Sequence, residues 1–194
     1  MNFTEVVDEV LAIVKRPDKL AAIRREVNMA VTYFSSATTF SRDLYEHTLS
    51  IAPNEYTQLV PLSSLLRFRH MKYIKRAGTK NYLKRLAASE LGTSCDNQDK
   101  WYIAGSSINI AMTALAPAID IAYYQYPPYL QSTAPVVVDY WMLESGWPMI
   151  INRASAKVFA DIGDDSSAKL HETYARIDYA DFFATNEKDI GFSE

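Results

Sequence analysis

A single cysteine, three histidines and six glycines are spread over 194 residues, and each scarcity removes a class of function. One cysteine cannot form an internal disulfide or build a cysteine-rich metal site. Cys95 itself lies in Ser94-Cys95-Asp96-Asn97, a turn with no neighbouring base, and reads as inert. His47, His70 and His171 stand far apart, and none has a second His or Cys three or four residues away to put two ligands on one helical face. The glycines form neither G-x-G-x-x-G nor G-x-x-x-x-G-K-[ST], and H-E-x-x-H, G-x-S-x-G and C-x-x-C are also missing. Asp161, Asp164 and Asp165 lack the alternating oxygens and closing Glu of a calcium loop; Asp164 and Asp165 suit the start of a helix, where carboxylates meet exposed amides. No enzyme activity, cofactor or metal is expected. Long apolar runs are missing too. The longest, around 108–124, is interrupted by Asn109, Pro117 and Asp120, short of the roughly 20 residues a membrane span needs. Glu5, Asp8 and Glu9 within the first apolar pattern are unlike a secretory signal, so the chain is expected to stay where it is made, away from membranes.

What is present is an ordinary globular composition, 48% hydrophobic and 22% charged, suited to one domain with an insertion. The net charge of −3 excludes a globally basic nucleic-acid binder. Its distribution is uneven: residues 1–55 carry a net −2, 56–119 a net +6 and 120–194 a net −7. Opposite potentials of this kind steer surfaces together and fix their register.

Phe3, Val6, Val7, Val10, Leu11 and Val14 recur at helical spacing, with Asn2 and Glu5 placed as a capping box. Arg16-Pro17-Asp18 ends that helix and starts another, whose stripe is Leu20, Ile23, Val27, Ala30, Val31 and Phe34, so 1–44 reads as a helical hairpin. Between 45 and 130 the pattern changes to Ile, Val, Tyr and Thr. Tyr45–Ile51, Tyr56–Leu62, Leu65–Ile74, Trp101–Ile110 and Ile119–Tyr126 read as short antiparallel strands of one small inserted sheet, with a short helix over Asn81–Leu91. Residues 131–185 return to helix. One helix begins at Val136–Leu143; a second carries Met149, Ile151, Ala154, Val158, Phe159 and Ile162 and stops at Gly163; a third carries Leu170, Tyr174 and Ile177 as its stripe. Trp141 and Trp147 are expected to anchor this helical core. From 186 to 194 the pattern fades into an extended arm. The fold class is therefore α+β, a helical core with an inserted antiparallel sheet and an extended C-terminal tail.

Two segments suit contact with other molecules. Arg67, Arg69, Lys72, Lys75 and Arg76, followed by Lys80, Lys84 and Arg85, carry eight cations and no acid, interleaved with Phe68 and Tyr73. Such a segment can meet nucleic-acid phosphates and bases, the acidic region of a neighbouring copy, or solvent. Tyr123, Tyr124, Tyr126 and Tyr129 surround Pro127 and Pro128 and suit either an interface or a sealed strand edge.

Several stretches resemble one family. Asp8-Glu9-Val10-Leu11 running into Lys15-Arg16-Pro17-Asp18, Ala21-Ala22-Ile23-Arg24 leading to Thr32-Tyr33, and the closing Phe40-Ser41-Arg42-Asp43-Leu44 resemble the start of tailed-bacteriophage head-to-tail adaptor proteins, also called neck, head-completion or connector proteins. Tyr126-Pro127, Asp139-Tyr140-Trp141-Met142-Leu143-Glu144 and Ala154-Ser155-Ala156-Lys157-Val158-Phe159 are similar to the sheet-to-helix passage of the same group. Together they cover about half of the chain, while 50–120 has no close counterpart. The resemblance implies a structural virion protein at the head–tail junction, assembled in the bacterial cytoplasm. It implies a homo-oligomeric ring, dodecameric in this family, that binds the portal and a tail or second neck protein and continues the channel for packaged DNA. It brings no catalytic residues. In that setting Ile190 and Phe192 of the arm are expected to contact the portal. The alternative is a nucleic-acid-binding packaging accessory protein working through 67–85.

Overall fold

The computed structural model describes residues 1–51, 56–87, 90, 99–114, 116–131 and 140–190, with the backbone alone at 186–190. Helices and largely antiparallel sheet give an α+β fold. The chain divides into two compact units, one from Met1–Arg42 with Pro127–Glu194, the other Asp43–Tyr126.

The first unit is helical. α1 (Phe3–Val14) opens with a complete capping box: Asn2 Oδ1 accepts from the Glu5 amide at 3.0 Å, and Glu5 Oε2 accepts from the Asn2 amide at 2.9 Å. It buries Phe3, Val6, Val7, Val10 and Val14, and stops where Lys15 turns left-handed at φ 55° and returns its amide to Leu11. Pro17 then sits at the start of a short 3-10 turn, where its missing N–H is no loss. α2 (Leu20–Ala37) buries Ile23, Val27, Ala30, Val31 and Phe34. α3 (Trp141–Ser145) and α4 (Trp147–Asp161) meet at Gly146, and α5 runs over Asp165–Ile190. α4 is the central element, packing against α1, α2 and α5. Val6, Val10, Ile23, Val27, Ala154 and Val158 are completely buried in this shared core. A fully buried Val or Ile side chain contributes about 1.5–3 kcal/mol.

Three expectations change here. Residues 186–190, read as the start of an extended arm, continue α5; Phe192 lies outside the described residues, and nothing is described of the Ile190 side chain. Within the described residues α3 starts at Trp141, and 136–139 lie outside them. Trp141 does anchor the core, edge-on to Phe40 and stacked on Phe182, whereas Trp147, at the first turn of α4, is exposed.

The second unit holds two sheets where one was expected. β1 (Leu44–Ser50), β7 (Ala118–Gln125) and β3 (Phe68–Arg76) form an antiparallel sheet in the order β1-β7-β3. β2 (Thr57–Pro61), β6 (Ser107–Ala111), β5 (Lys100–Ala104) and β4 (Lys84–Arg85) form another in the order β2-β6-β5-β4, in which β4 and β5 run parallel. Both face a core of Val60, Met71, Ile74, Trp101, Ile108, Ile110, Ile119, Ile121 and Tyr123. The stretch read as one strand over Trp101–Ile110 is a hairpin. Gly105 takes φ 58° at the first central position of a two-residue turn, a conformation that suits the twist of the flanking strands. The helix expected over Asn81–Leu91 is replaced, among the described residues, by strand pairing: Leu83 donates to Ile74, Lys84 to Asp99 and Leu86 to Trp101, which buries Leu83 and Leu86. In β3 a register shift between Met71 and Tyr73 lets Met71 and Ile74, three residues apart, both point inward.

Candidate functional site

The basic segment is placed largely by β3 and by the hairpin it joins. Arg67, at φ 52°, donates to Gln125 Oε1 at 2.9 Å, and its carbonyl accepts from the Tyr126 amide. Lys72 lies over the Tyr124 ring at 5.9 Å, and Lys75 is 3.8 Å from Asp120, which also accepts from Thr48 Oγ1 at 2.7 Å. Arg69 sits half-buried on β3, and its charge, after burial, helps hold the His70 imidazole below its usual pKa. Arg85 lies over Trp101 at 5.5 Å.

Arg76 is the most committed of these cations. It donates to Asp99 Oδ1 at 2.6 Å and to Thr113 Oγ1 at 3.2 Å, while Asp99 Oδ1 also accepts from the Thr113 amide and hydroxyl at 2.7 and 2.8 Å. Burial pushes the Asp99 carboxyl up, but the Thr113 bonds and Arg76 more than offset it, and its pKa falls below the ordinary value. Elsewhere on β3 the Tyr73 hydroxyl donates to Glu46 of β1, and that bond, with burial and the Glu46 charge, pushes the phenol up to about 12. Arg67, Lys72, Lys75, Arg76 and Arg85 are thus engaged within their own unit.

The tyrosine group does not form one patch. Tyr123, read as an interface residue, is 1% exposed and belongs to the core of the β unit; its place on β7 alternates inward with Ile119 and Ile121. Tyr124 is half-buried next to His70 with ring centroids 4.7 Å apart. Tyr126 and Tyr129 are exposed and fall in different units.

In the helical unit, α2, α4 and α5 share a polar network. Arg153 pairs with Glu172 and lies over the Tyr33 ring at 4.1 Å. Asn152 donates to Asp178 Oδ2 at 2.8 Å, which orients its amide so that Oδ1, 2.8 Å from His171 Nδ1, is the acceptor; the network places the neutral imidazole proton on Nδ1. Burial lowers the His171 pKa. One cavity between these helices, lined by Tyr33, Phe34, Arg153 and Tyr179, is about 100 Å³, below the size of typical ligand pockets, and an open hollow between α4 and α5, lined by Ala156, Ala160, Glu172 and Arg176, is about 380 Å³.

The surface that sequence reading missed is on α5. Leu170, Tyr174 and Ile177, expected to be the buried stripe, are 50%, 46% and 53% exposed. The helix instead buries Ala175 and Phe182, with His171 and Tyr179 half-buried, a second set at helical spacing on roughly the opposite side. Both sets are visible in the sequence, and periodicity alone cannot say which one meets the core. Asp164 caps this helix as expected: its Oδ1 accepts from the Ser167 amide at 3.1 Å and the Ser166 hydroxyl at 2.8 Å, and hydrogen bonding from the Ser167 side chain, the Ser167 amide and Ser166 lowers its pKa.

Among the described residues no group of three or more His, Cys, Asp or Glu is placed to hold a metal ion, and no helix is long and apolar enough to cross a membrane. Cys95 lies outside the described residues. No protein-family model matches the chain, and a search of curated proteins finds no match.

Proposed function

We propose that this chain is a structural subunit of a ring that joins the portal at a bacteriophage capsid vertex to the tail and continues the DNA channel. The observation that carries the reading is the exposed Leu170–Tyr174–Ile177 face of α5, apolar area that no other described residue covers. Contiguous apolar surface of this kind marks protein–protein contact. Charge supports the same role. The helical unit carries eleven Lys/Arg against sixteen Asp/Glu, a net −5, and the β unit nine against seven, a net +2. A ring requires each subunit to offer two different patches, and a chain whose units differ in sign has the means to match them. The adaptor-like segments within 8–44 and 126–159 support this reading of the assembly: portal above, tail or second neck protein below, packaged DNA within, at the head–tail junction of the virion. Such a protein acts through surfaces and carries no reaction.

The packaging-accessory reading has less support, because Arg67, Lys72, Lys75, Arg76 and Arg85 are engaged in their own unit. Electron imaging and light scattering of the purified protein, alone and mixed with portal rings, test the proposal. Rings, free or seated on the portal, are expected; protein that stays monomeric in both conditions overturns it.

A further inference from the structure

Resting on the reading of a ring around packaged DNA, we infer that the open hollow between α4 and α5 takes phosphate groups of the DNA backbone. Its floor is small and apolar, made by Ala156 and Ala160 of α4 and Ala168 of α5. Its rim is basic. Lys157 stands on the α4 side and Lys169 and Arg176 on the α5 side, against one acid, Glu172. At about 380 Å³ the hollow has the room of a ligand site.

The local ion pairs leave these cations available. Glu172 is paired with Arg153, and Asp161, next along α4 from Ala160, lies 3.6 Å from Arg25. Arg176 meets Glu172 at 3.6 Å and remains 79% exposed, so most of its guanidinium donors face solvent. Lys157 and Lys169 are exposed and make no ion pair among the described residues. Three cations thus gather on one hollow of a unit whose net charge is −5. Like charges placed so repel one another, and an anion between them removes the repulsion.

Spacing favours a run of phosphates over a lone carboxylate. Lys169 and Arg176 are seven residues apart on one side of α5, about 10.5 Å of helix rise, with Lys157 across the hollow. That reach exceeds one anionic group and suits a chain of them, with the alanine floor against the sugars between. Arginine supplies a fork that matches phosphate, and lysine a point charge. DNA in a channel has to move, and three solvated cations on an otherwise acidic unit hold it weakly enough to let go.

Anisotropy of a labelled DNA duplex, titrated with the full chain at stepped salt, tests this. Three neutralised phosphates contribute about −2.7 to the slope of log affinity against log salt. Lys157→Gln, Lys169→Gln and Arg176→Gln together should therefore flatten that slope by about 2–3. Lys157→Arg with Lys169→Arg keeps the charge and should leave it unchanged. A slope that the triple change does not move overturns the inference, as does a charge-keeping variant that behaves like the triple one. Loss of rings in the triple variant with its slope intact assigns the hollow to an acidic segment of a neighbouring copy and overturns it too. Inorganic phosphate, compared with chloride at equal ionic strength, separates the two sources of phosphate: competition with the duplex is expected, whereas calorimetric phosphate binding that the triple change removes and the duplex does not contest overturns the DNA assignment. Wild-type protein that forms no ring, alone or with portal, removes the ring reading, while the slope still decides the hollow.

Discussion

Asn28 and Leu130 are 102 residues apart, yet they are tied by a reciprocal pair of buried hydrogen bonds. Asn28 Oδ1 accepts from the Leu130 amide at 2.7 Å, and Asn28 Nδ2 donates to the Leu130 carbonyl at 3.1 Å. A single side chain on α2 thereby satisfies both backbone groups of a residue that is 1% exposed, at the point where the chain re-enters the helical unit. Asn28→Leu is close in size but leaves that amide and carbonyl unpaired in a buried setting. It should cost about 2–4 kcal/mol, measured as a lower midpoint in urea unfolding.

Gly146 is required for space. A Cβ at this position would lie 2.6 Å from Met149 Cε, 3.0 Å from the Met142 carbonyl oxygen and 3.1 Å from the Phe182 ring. Met149 has a flexible end, but the carbonyl is fixed by the α3 backbone. Gly146→Ala should therefore destabilise by about 1–3 kcal/mol, read as a drop in Tm.

Asp99 makes stability depend on pH in the acid range. Its pKa is lower folded than unfolded, so its contribution is present in full above the unfolded value and is lost as pH falls through the folded one. Asp99→Asn, which weakens the contact with Arg76 and Thr113, should cost about 1–3 kcal/mol at neutral pH. The gap between variant and wild type should narrow on acidification, followed by urea unfolding at stepped pH.

His171 acts higher on the pH scale. Burial favours its neutral form, so the unfolded chain takes up the proton first, and stability falls as pH drops from about 6.5 towards the lowered folded value. His171→Gln can keep a donor near Asn152 Oδ1 without titrating. It should flatten the slope of stability against pH in that interval; an unchanged slope would assign the dependence to other groups.

The helices were legible wherever one apolar stripe dominated, as in α1, where Phe3 to Val14 and the Asn2–Glu5 box settle both face and start. β1 and β2 were legible because aromatic and branched residues are bounded by Pro53 and Pro61. The hairpin at Gly105 was hidden because β-forming residues flank it on both sides, leaving one glycine as the only mark. β4 was hidden because its two residues are strand only through pairing with β5, a contact set by distant chain. The stripe of α5 was misassigned for a similar reason: Leu170, Tyr174 and Ile177 form the stronger pattern, but Ala175 and Phe182 are the ones that fit against α4 and Phe40. The basic run was visible as composition, while Asp99, Thr113, Asp120 and Gln125, which engage it, come from far along the sequence.

β1 and β7 are neighbours in one ladder, and Leu44 at the start of the β unit is opposite Tyr124 near its end. Residues so paired lie about 5 Å apart, so the 79 residues between them leave and return through a single doorway. Such a module can be exchanged, lengthened or trimmed with little demand on the helices that host it, and this gives a lineage freedom to refit one surface of the protein to new neighbours while the scaffold stays constant.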